Sequence, residues 1–383
     1  MKRLLVLTEI IAPYRIPVFN ALARHEGIDL HVIFLAKTDP TMREWTVYTN
    51  EMQFSYEVLP SWRRRLGGRN FLLNRGLARA LRRFSPEVVL CGGYNYLASW
   101  QCLFWARRNR VPFFVWLEST AKDQRRGHFI TELLKAKFIR HCDGSVVPGK
   151  DSFAYVRNYG ISEENIFTAP NAVDNDLFAR GADKAQKNTA ILRQALQLPS
   201  RFFLFVGRLV PEKGGFDLLE AYGTLAPQLR KEVGLVFVGD GISKTDMVQR
   251  ASVITPGDVR FAGFVQREEL VNYYGLAEAF VFPTHSDPWG LVVNEAMACG
   301  LPIISSSAAG CVADLVEDHG NGRIVTQHNP RELALAMAEL ANSADLRAAM
   351  AQRSRQRILQ NSPIACAEGI ARAAFSCGDP SHD

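Results

Sequence analysis

Short, nearly continuous apolar runs alternate along this chain with longer stretches of helical periodicity, and this alternation restricts its fold more than any other feature. A strand that is apolar along its whole length needs cover on both faces, which is typical of parallel sheets flanked by helices. We therefore predict parallel α/β architecture. The predicted strands are Leu4–Leu7, Leu30–Leu35, Val88–Leu90, Phe113–Trp116, Ser145–Val147, Phe202–Val206, Val233–Val238, Val259–Ala262, Ala279–Phe282, Pro302–Ser305 and Arg323–Val325.

Amphipathic stretches between these runs predict the helices. Residues 343–375 are also helical in composition. The other predicted helices are Ile16–Arg24, Phe71–Arg83, Leu97–Arg108, His128–Arg140, Leu218–Gln228, Ser243–Arg250, Arg267–Leu276, Leu291–Met297 and Pro330–Ala341.

The length of 383 residues predicts two domains, since one domain usually has roughly 100–200 residues. We place the N-terminal domain at residues 1–175 and the C-terminal domain at 176–383. The linker is expected around residues 172–182, which are rich in Asn, Asp, Gly and Lys. The last helix, about residues 363–376, is expected to pack back on the N-terminal domain. Two open α/β domains imply a cleft, with ligands beyond the carboxyl ends of the strands.

The charge is distributed unevenly along the chain. Residues 1–180 carry 26 Lys and Arg against 17 Asp and Glu, whereas the remainder carries 19 against 22. A basic first half favours an anionic partner, such as a phosphate-bearing molecule or an anionic membrane. A solvated basic surface without a partner is the alternative.

The cysteines and the apolar runs predict the compartment. The seven cysteines show no CxxC or metal-ligand spacing, which favours a reducing compartment and a cytoplasmic location. The N-terminal apolar run is broken by Glu9 and reads as a buried strand rather than a signal peptide. No run approaches the roughly 18 apolar residues of a membrane span. Membrane contact is therefore expected to be peripheral, on the inner face of the cytoplasmic membrane.

One candidate site lies between Pro283 and Pro302. A predicted strand ends at Phe282, a loop containing Pro288 and Gly290 follows, and a helix begins near Leu291. Free backbone N–H groups at such a helix start form a natural anion site.

Two carboxylates flank this helix start. Asp287 and Glu295 are eight residues apart, so that both can converge on one polyhydroxylated ligand. Alternatively, Asp287 caps the helix and Glu295 is an ordinary solvated residue.

A second candidate site follows the predicted strand Phe202–Val206. That strand leads into Gly207, and a Pro-Glu turn flanked by Arg208 and Lys213 precedes the next helix. Two cations at the carboxyl end of a strand suit a diphosphate. The alternative is a pair of ordinary surface cations on a turn.

Several of these stretches resemble glycosyltransferase family 4, whose members are retaining enzymes of the GT-B fold. The stretches are VGRLVPEKG, VGDG at Val238–Gly241, FAGFV at Phe261–Val265, and DPWGLVVNEAMACGLPII. The early segment Ala12–Asn20 and the PNAVD stretch are similar to members that build bacterial surface polysaccharides. The resemblance implies two Rossmann-like, doubly wound domains that face each other across a cleft. Of these, the N-terminal domain binds the acceptor and the C-terminal domain binds a nucleotide sugar.

The resemblance also implies roles for individual residues. Arg208 and Lys213 match the diphosphate-binding pair, and Glu295 matches the second acid of the E-x7-E motif, which holds the ribose hydroxyls. Asp287 stands where most members have the first Glu of that motif, near the donor sugar. Four further positions match groups that face the sugar, the phosphate or the base, namely Gly290, Leu291, Val292 and Phe264.

A catalytic residue on the acceptor side is expected after the strand Phe113–Trp116. Glu118 lies there, although its neighbourhood also reads as a helix-capping cluster. His128, His141 and His285 are alternative bases, the first two of which read more readily as parts of a helix face. The predicted catalytic set is Glu118, Arg208, Lys213 and Asp287.

No cofactor or metal is expected, because two cations already serve the diphosphate. The resemblance implies retention of anomeric configuration, with a phosphate oxygen taking the proton of the acceptor hydroxyl. The donor is expected to be a nucleotide-diphosphate sugar and the acceptor a lipid-linked molecule or a saccharide in cell-surface polysaccharide biosynthesis. A nucleotide-sugar epimerase and a non-catalytic sugar-nucleotide binder are the alternatives. A Rossmann dehydrogenase is disfavoured because no GxGxxG follows the first strand.

Basic clusters with aromatic neighbours mark the N-terminal half. Such surfaces suit an anionic bilayer or a lipid-pyrophosphate acceptor, and no nucleic-acid recognition motif is present. The clusters are Arg63–Arg65 with Arg69, Arg82–Arg83, Arg107–Arg108 with Arg110, and Lys122–Arg126, and the aromatic neighbours are Trp45, Trp62, Phe71 and Phe84. The alternative is a solvated face without a partner.

Overall fold

The computed structural model describes residues 1–39, 46–66, 69–122, 129–254 and 259–377. The chain divides into two compact units. The first unit comprises Met1–Ala121, Arg125–Val173 and Ser362–Asp383, and the second comprises Lys122–Gln124 and Asp174–Asn361.

The first unit is built on a seven-stranded parallel sheet. The strand order is β3-β2-β1-β6-β7-β8-β9, and β4 and β5 form a separate antiparallel hairpin. The strands are β1 (Lys2–Thr8), β2 (Ile28–Phe34), β3 (Ser55–Val58), β4 (Ser61–Leu66), β5 (Arg69–Asn74), β6 (Val88–Cys91), β7 (Phe113–Trp116), β8 (Gly144–Val147) and β9 (Ile166–Thr168). The helices are α1 (Ile16–Ala23), α2 (Leu77–Phe84), α3 (Leu97–Arg108), α4 (Phe129–Arg140), α5 (Lys150–Arg157) and α16 (Pro363–Ser376).

The interior strand β1 shows why both faces of this sheet are covered. Leu4 and Val6 belong to the core that includes residues of α1 and α16, whereas Leu5 and Leu7 belong to the core that includes residues of α2 and α3. Successive side chains of a strand point to opposite faces. A continuous apolar run therefore places side chains in two cores, one on each face of the sheet. This is why such a run predicts a strand that is covered on both faces.

The second unit is built on a six-stranded parallel sheet with the order β12-β11-β10-β13-β14-β15. Its strands are β10 (Phe202–Val206), β11 (Gly234–Val238), β12 (Val259–Gly263), β13 (Ala279–Phe282), β14 (Ile303–Ser306) and β15 (Gly322–Val325). Its helices are α6 (Asn175–Lys187), α7 (Thr189–Ala195), α8 (Gly215–Gly223), α9 (Pro227–Glu232), α10 (Lys244–Ile254), α11 (Arg267–Leu276), α12 (Leu291–Ala298), α13 (Val312–Leu315), α14 (Pro330–Asn342) and α15 (Ala344–Ile358).

The strand order of the second unit reverses at β10. The chain first moves outwards from β10 to β11 and β12, and then returns to the other side of β10 to add β13. Loops at such a switch point diverge and leave a crevice beyond the carboxyl ends of the two central strands. The segments after β10 and β13 are the two candidate sites from the sequence, so the topology brings them to one place.

The prediction of parallel α/β architecture in two Rossmann-like, doubly wound units is confirmed. The helix predicted at Phe71–Arg83 is wrong in its first part, because residues up to Asn74 pair with Ser61–Leu66 as a hairpin. The helix predicted at Leu218–Gln228 ends at Gly223, and a new helix begins at Pro227.

The segment predicted to be the linker is mostly helix. Asp174 accepts a hydrogen bond from the Leu177 N–H and caps α6, and Phe178 and Ala182 are buried. Helix α6 packs on α11 so closely that a Cβ at Gly275 would lie 2.8 Å from the Ala182 Cα. The polar composition that suggested a linker belongs to the exposed face of this helix.

The C-terminal helix α16 belongs to the first unit and packs on α1 and β9. Gly369 permits the contact, because a Cβ there would lie 2.3 Å from the Thr168 carbonyl oxygen. Among the residues that the structure describes, no helix is both long and apolar enough to span a bilayer.

Candidate functional site

The segment after β10 (residues 207–214, the β10 loop) and the segment after β13 (residues 283–290, the β13 loop) are in direct contact. The Glu212 carbonyl oxygen accepts hydrogen bonds from the Thr284 hydroxyl at 3.0 Å and from the His285 N–H at 2.9 Å. Gly214 has a φ of 69°, and a Cβ there would lie 2.0 Å from the Pro283 carbonyl oxygen. Only glycine fits this position, so Gly214 permits the close approach of the two loops.

An ion pair joins the two loops at their centre. The Lys213 Nζ lies 2.5 Å from the Asp287 Oδ2 and 3.5 Å from the Ser286 carbonyl oxygen. The other carboxylate oxygen of Asp287 accepts a hydrogen bond from the Trp289 N–H at 3.1 Å. Both side chains are mostly buried, with exposed fractions of 12% for Lys213 and 18% for Asp287. The predicted diphosphate cation and the predicted sugar-side acid are therefore partners of each other.

Helix α12 begins directly after this pair and leaves its N-terminus uncapped by any side chain. Gly290 is the N-cap residue, with a φ of 96°. A Cβ there would also lie 2.7 Å from the Phe282 ring, so glycine is required by both backbone conformation and space. The N–H groups of Leu291 and Val292 belong to the first turn, which has no intrahelical acceptors and carries the positive end of the helix dipole.

Glu295 lies one turn further along α12, in a partly buried position. Its Oε2 accepts a hydrogen bond of 2.8 Å from the hydroxyl of Tyr274, which is itself fully buried. Burial raises the pKa of Glu295 to about 7, against the smaller opposing effects of the Tyr274 hydrogen bond and the charge of Arg267. The alternative reading of Glu295 as a solvated helix residue is wrong.

The remaining predicted residues of the second unit lie along the same sheet edge. Arg208 is about half exposed, and its guanidinium is 3.7 Å from the Glu212 carboxylate. The backbone next to Arg208 is held by the loop after β11, since the Leu209 N–H donates a hydrogen bond of 2.9 Å to the Asp240 carbonyl oxygen. Phe264 is 44% exposed and directly follows Gly263, whose carbonyl oxygen accepts from the Gly239 N–H at 2.7 Å.

Glu118 belongs to the first unit and forms a short ion pair with Arg15. The Arg15 guanidinium stacks over the Trp116 ring at 3.6 Å from its centroid, a favourable cation–π contact. Ser152 donates a hydrogen bond of 3.2 Å to the Glu118 carbonyl oxygen. Arg15 was not among the predicted site residues. The signal for it was a cation in the loop after β1, whose carboxyl end lies at the same sheet edge as that of β7.

The three candidate histidines have different surroundings. His285 lies in the β13 loop, where its Nε2 is 2.8 Å from the Asp217 Oδ2. His141 is exposed just beyond α4, and its Nδ1 is 2.7 Å from the Lys137 carbonyl oxygen, which is a local helix-end contact. His128 lies outside the described residues.

The basic cluster at Arg63–Arg65 is not a uniform cationic surface. Arg63 forms ion pairs with Asp39 and Glu9 and has only 16% of its side chain exposed. Arg63 is therefore paired with acidic groups, whereas contact of the cluster with an anionic bilayer stays a prediction. Trp45 and residues 123–126 of the Lys122–Arg126 cluster lie outside the described part of the chain.

The other face of the β4–β5 hairpin is apolar and open. Trp62 pairs with Leu73 and Arg64 with Phe71 in the register of the two strands, so all four side chains share one face. Arg64 is exposed, and the exposed fractions of the other three are 54% for Trp62, 47% for Phe71 and 45% for Leu73. We call this set of four residues the hairpin face.

Two Rossmann-like units, one of which carries paired loops and an uncapped helix N-terminus at its switch point, define the GT-B class. Two family models match the chain: "Glycosyltransferase Family 4" over residues 18–177 and "Glycosyl transferases group 1" over residues 188–357. The chain therefore belongs to the family 4 glycosyltransferases, as the resemblance predicted.

Individual relatives agree with this assignment. D-inositol 3-phosphate glycosyltransferase 2 of Catenulispora acidiphila is 32% identical over 199 residues, which cover 49% of this chain and 45% of that protein. D-inositol 3-phosphate glycosyltransferase of Kineococcus radiotolerans is 29% identical over 217 residues, covering 52% and 49%. The chain thus spans about half the length of the curated relatives it matches.

A solved structure shows the same fold. The Anabaena protein Alr3699/HepE in complex with UDP superimposes with a TM-score of 0.77 at 20% identity, covering 98% of this chain and all of that one.

Proposed function

We propose that this protein is a retaining glycosyltransferase that moves a sugar from a nucleotide-diphosphate donor to a lipid-linked or saccharide acceptor. The observation that carries the proposal is the junction of the β10 and β13 loops. There Lys213 pairs with Asp287 just before the uncapped start of α12, and the partly buried carboxylate of Glu295 lies one turn further along that helix. Cation and helix N-terminus suit a diphosphate, and a partly buried carboxylate suits a pair of ribose hydroxyls.

The proposed chemical step uses these groups. The bond between the anomeric carbon and the diphosphate oxygen breaks, and the charge that develops on the diphosphate is stabilised by Arg208, Lys213 and the N–H groups of Leu291 and Val292. The acceptor hydroxyl attacks the anomeric carbon from the face that the diphosphate leaves. Its proton passes to a diphosphate oxygen, so no covalent protein intermediate and no metal are required.

Asp287 has two tasks in this scheme. In the donor-free chain it holds the Lys213 ammonium in place, at 2.5 Å. When the diphosphate arrives, the ammonium is shared with it, and an Asp287 oxygen becomes available to a sugar hydroxyl. Its side chain is one methylene shorter than the Glu of most family members, which makes this residue the proposed determinant of donor sugar choice.

The donor and acceptor proposals draw on different observations. Solved structures of the Anabaena protein contain UDP and UDP-glucose, so uridine diphosphate sugars are the first donors to test. The basic first half of the chain favours an acceptor that carries phosphate. Lipid-linked pyrophosphates of cell-surface polysaccharide biosynthesis and phosphorylated polyols, as in the names of the curated relatives, both meet this requirement. Glu118, held by Arg15, would orient the acceptor hydroxyl.

Product analysis tests the function. The protein is incubated with a panel of nucleotide sugars, with and without lipid-linked and phosphorylated acceptors, and the products are identified by mass spectrometry and NMR. We expect an acceptor-dependent glycoside with the anomeric configuration of the donor. An altered nucleotide sugar formed without acceptor would indicate an epimerase instead, and donor binding without any turnover would indicate a non-catalytic binder. A glycoside of inverted configuration would contradict retention.

We further propose that the hairpin face attaches the protein peripherally to an anionic bilayer, on the cytoplasmic side. Trp62 and Phe71 present large, partly apolar rings of the kind that settle at a membrane–water interface, and Arg64 adds a positive charge. An exposed arginine near an anionic surface contributes about 1 kcal/mol.

Vesicle binding tests the hairpin face. In the Trp62→Ala/Phe71→Ala double variant, the partition coefficient on vesicles rich in phosphatidylglycerol is expected to fall by at least about tenfold, equivalent to about 1.4 kcal/mol. Phe104→Ala is the matched control, since Phe104 is an aromatic side chain of the same unit that is 70% exposed on α3. If the partition coefficient falls equally in both variants, or in neither, the hairpin face is an ordinary solvated surface and the proposal is refuted.

A further inference from the structure

We propose that the second unit contains a transition-metal site, formed by Asp217, His285 and His328, that binds Zn²⁺ or a similar ion. Asp217 lies in the first turn of α8, His285 in the β13 loop, and His328 between β15 and α14. The three residues are far apart in sequence and are brought together by the carboxyl ends of three parallel strands. This inference rests on the geometry of these side chains and does not depend on the proposed transfer reaction.

The distances fit a single small ion. One candidate ligand atom from each residue lies within 4.8 Å of the other two. The Asp217 Oδ2 is 2.8 Å from the His285 Nε2 and 3.7 Å from the His328 Nδ1. Two ligands of a tetrahedral Zn²⁺ at bond lengths of about 2.0–2.1 Å lie roughly 3.3 Å apart, between these two values. Two imidazoles bound to one such ion would have ring centroids roughly 5 Å apart, so the exposed His328 side chain must rotate away from His285 to admit the ion.

The ligand types select the metal. Two imidazoles and one carboxylate suit Zn²⁺, Co²⁺, Ni²⁺ or Fe²⁺, whereas Mg²⁺ and Ca²⁺ prefer sets made of oxygen atoms alone. Three protein ligands leave a fourth position for water. The side chain of His328 is 57% exposed, which gives an ion a route from solvent, while His285 and Asp217 are 16% and 22% exposed and are held in place.

The rings of the two histidines are in contact. Their ring centroids are 3.7 Å apart at an interplanar angle of 40°, and His328 adopts a φ of 56°, a left-handed conformation in which histidine, like asparagine and aspartate, is enriched among residues other than glycine. His319 has a similar φ of 58°, so the backbone alone does not mark a site. The difference is that His328 adds its ring nitrogen to a histidine–aspartate pair that is already formed.

The site adjoins the groups proposed to serve the diphosphate without using them, since a Cβ at Gly214, the residue after Lys213, would lie 3.3 Å from the His285 Nε2. Arg208 and Lys213 keep that task, and the expectation of a metal-free diphosphate site is unchanged. An ion bound here would instead connect α8, the β13 loop and the loop before α14. His285 is two residues from Asp287, so occupancy would fix the β13 loop and stabilise the second unit.

Metal titration tests the site. The chain is stripped with a chelator and titrated calorimetrically with Zn²⁺, with Mg²⁺ as the comparison ion, and Co²⁺ is added separately for its visible absorption. We expect one equivalent of Zn²⁺ to bind, no heat from Mg²⁺, and a Co²⁺ spectrum without the near-ultraviolet band of thiolate ligands. Zn²⁺ at a hundred times its dissociation constant should raise the melting temperature by roughly 5–10 °C.

Two variants and a control make the test specific. His328→Asn removes a ligand, keeps a residue that tolerates positive φ, and is expected to weaken Zn²⁺ binding at least about tenfold. Asp217→Asn should do the same. His319→Asn is the matched control, because His319 is an exposed histidine of the same backbone conformation. Absence of Zn²⁺ binding to the unaltered chain, or equal affinity in the two ligand variants and the control, would overturn the proposal.

Discussion

Replacement of Lys213 by alanine is expected to lower kcat roughly 30- to 1000-fold. This corresponds to a loss of about 2–4 kcal/mol of transition-state stabilisation. The Lys213 ammonium sits at the junction of the β10 and β13 loops, 88% buried and 2.5 Å from Asp287. A charge that is held in place and largely screened from water stabilises a departing diphosphate more strongly than a mobile one in solvent. Turnover is measured under donor saturation with the acceptor identified in the product screen.

The design must separate lost catalysis from lost folding. Removal of Lys213 leaves the Asp287 carboxylate without its cation, so the melting temperature of the variant is measured alongside its turnover. Lys231→Ala is the control, because Lys231 is an exposed lysine of α9 in the same unit. A Lys213→Ala variant that is folded and turns over at the wild-type rate would refute the role of Lys213 at the diphosphate.

Replacement of Glu295 by alanine is expected to weaken donor binding by about 3–6 kcal/mol, because each of two ribose hydroxyls would lose a hydrogen bond to a charged group, which contributes about 1.5–3 kcal/mol. Glu295→Gln keeps an oxygen for the Tyr274 hydroxyl, which protects the fold, yet removes the charge that two ribose hydroxyls would share. Calorimetry with the nucleoside diphosphate gives the affinities. Glu220→Ala, a change of an exposed glutamate on α8, should leave them unaltered, and unchanged affinity in both Glu295 variants would count against the site.

Donor binding is expected to depend on pH through Glu295. Because burial raises the pKa of Glu295 to about 7, the carboxyl group gains a proton as the pH falls through 7 and loses acceptor capacity for the ribose. The dissociation constant of the donor should therefore increase below pH 7 in the wild type and stay flat in Glu295→Gln.

The free energy of unfolding of the donor-free protein should have the opposite pH dependence, and should be higher at low pH. A carboxyl group whose folded pKa is raised stabilises fully below its unfolded pKa, near 4.3, and loses that contribution as the pH rises through about 7. The free energy of unfolding of the wild type should therefore decline between pH 5 and 8 relative to that of Glu295→Gln. Parallel stability curves for the two proteins would contradict a raised pKa.

Local patterns in the sequence were sufficient for most strands and for the two candidate loops. The strands Phe113–Trp116, Phe202–Val206 and Ala279–Phe282 have the predicted bounds, because a run that is apolar on both faces has few other stable arrangements. The predictions failed where a polar or mixed composition is compatible with more than one secondary structure. Residues 71–74 have a helical pattern but gain a partner strand at Ser61–Leu66.

Partners between distant residues were not predictable in the same way. The sequence identified Lys213 and Asp287 as separate ligand contacts, whereas the structure pairs them across 74 positions. The basic cluster that includes Arg63 suits an anionic bilayer by its composition, and only the structure shows that the Arg63 guanidinium forms ion pairs with Asp39 and Glu9.

The sequence by itself determined the two doubly wound units, the family, and the residue types at the switch point. It could do so because apolar periodicity and obligatory glycines such as Gly214 and Gly290 act over a few residues, through sterics and burial. Only the tertiary structure decided which charges neutralise each other and how buried Glu295 is. Those properties depend on distances of a few ångströms between segments remote in sequence, where the strength of an electrostatic interaction is set by the surrounding protein.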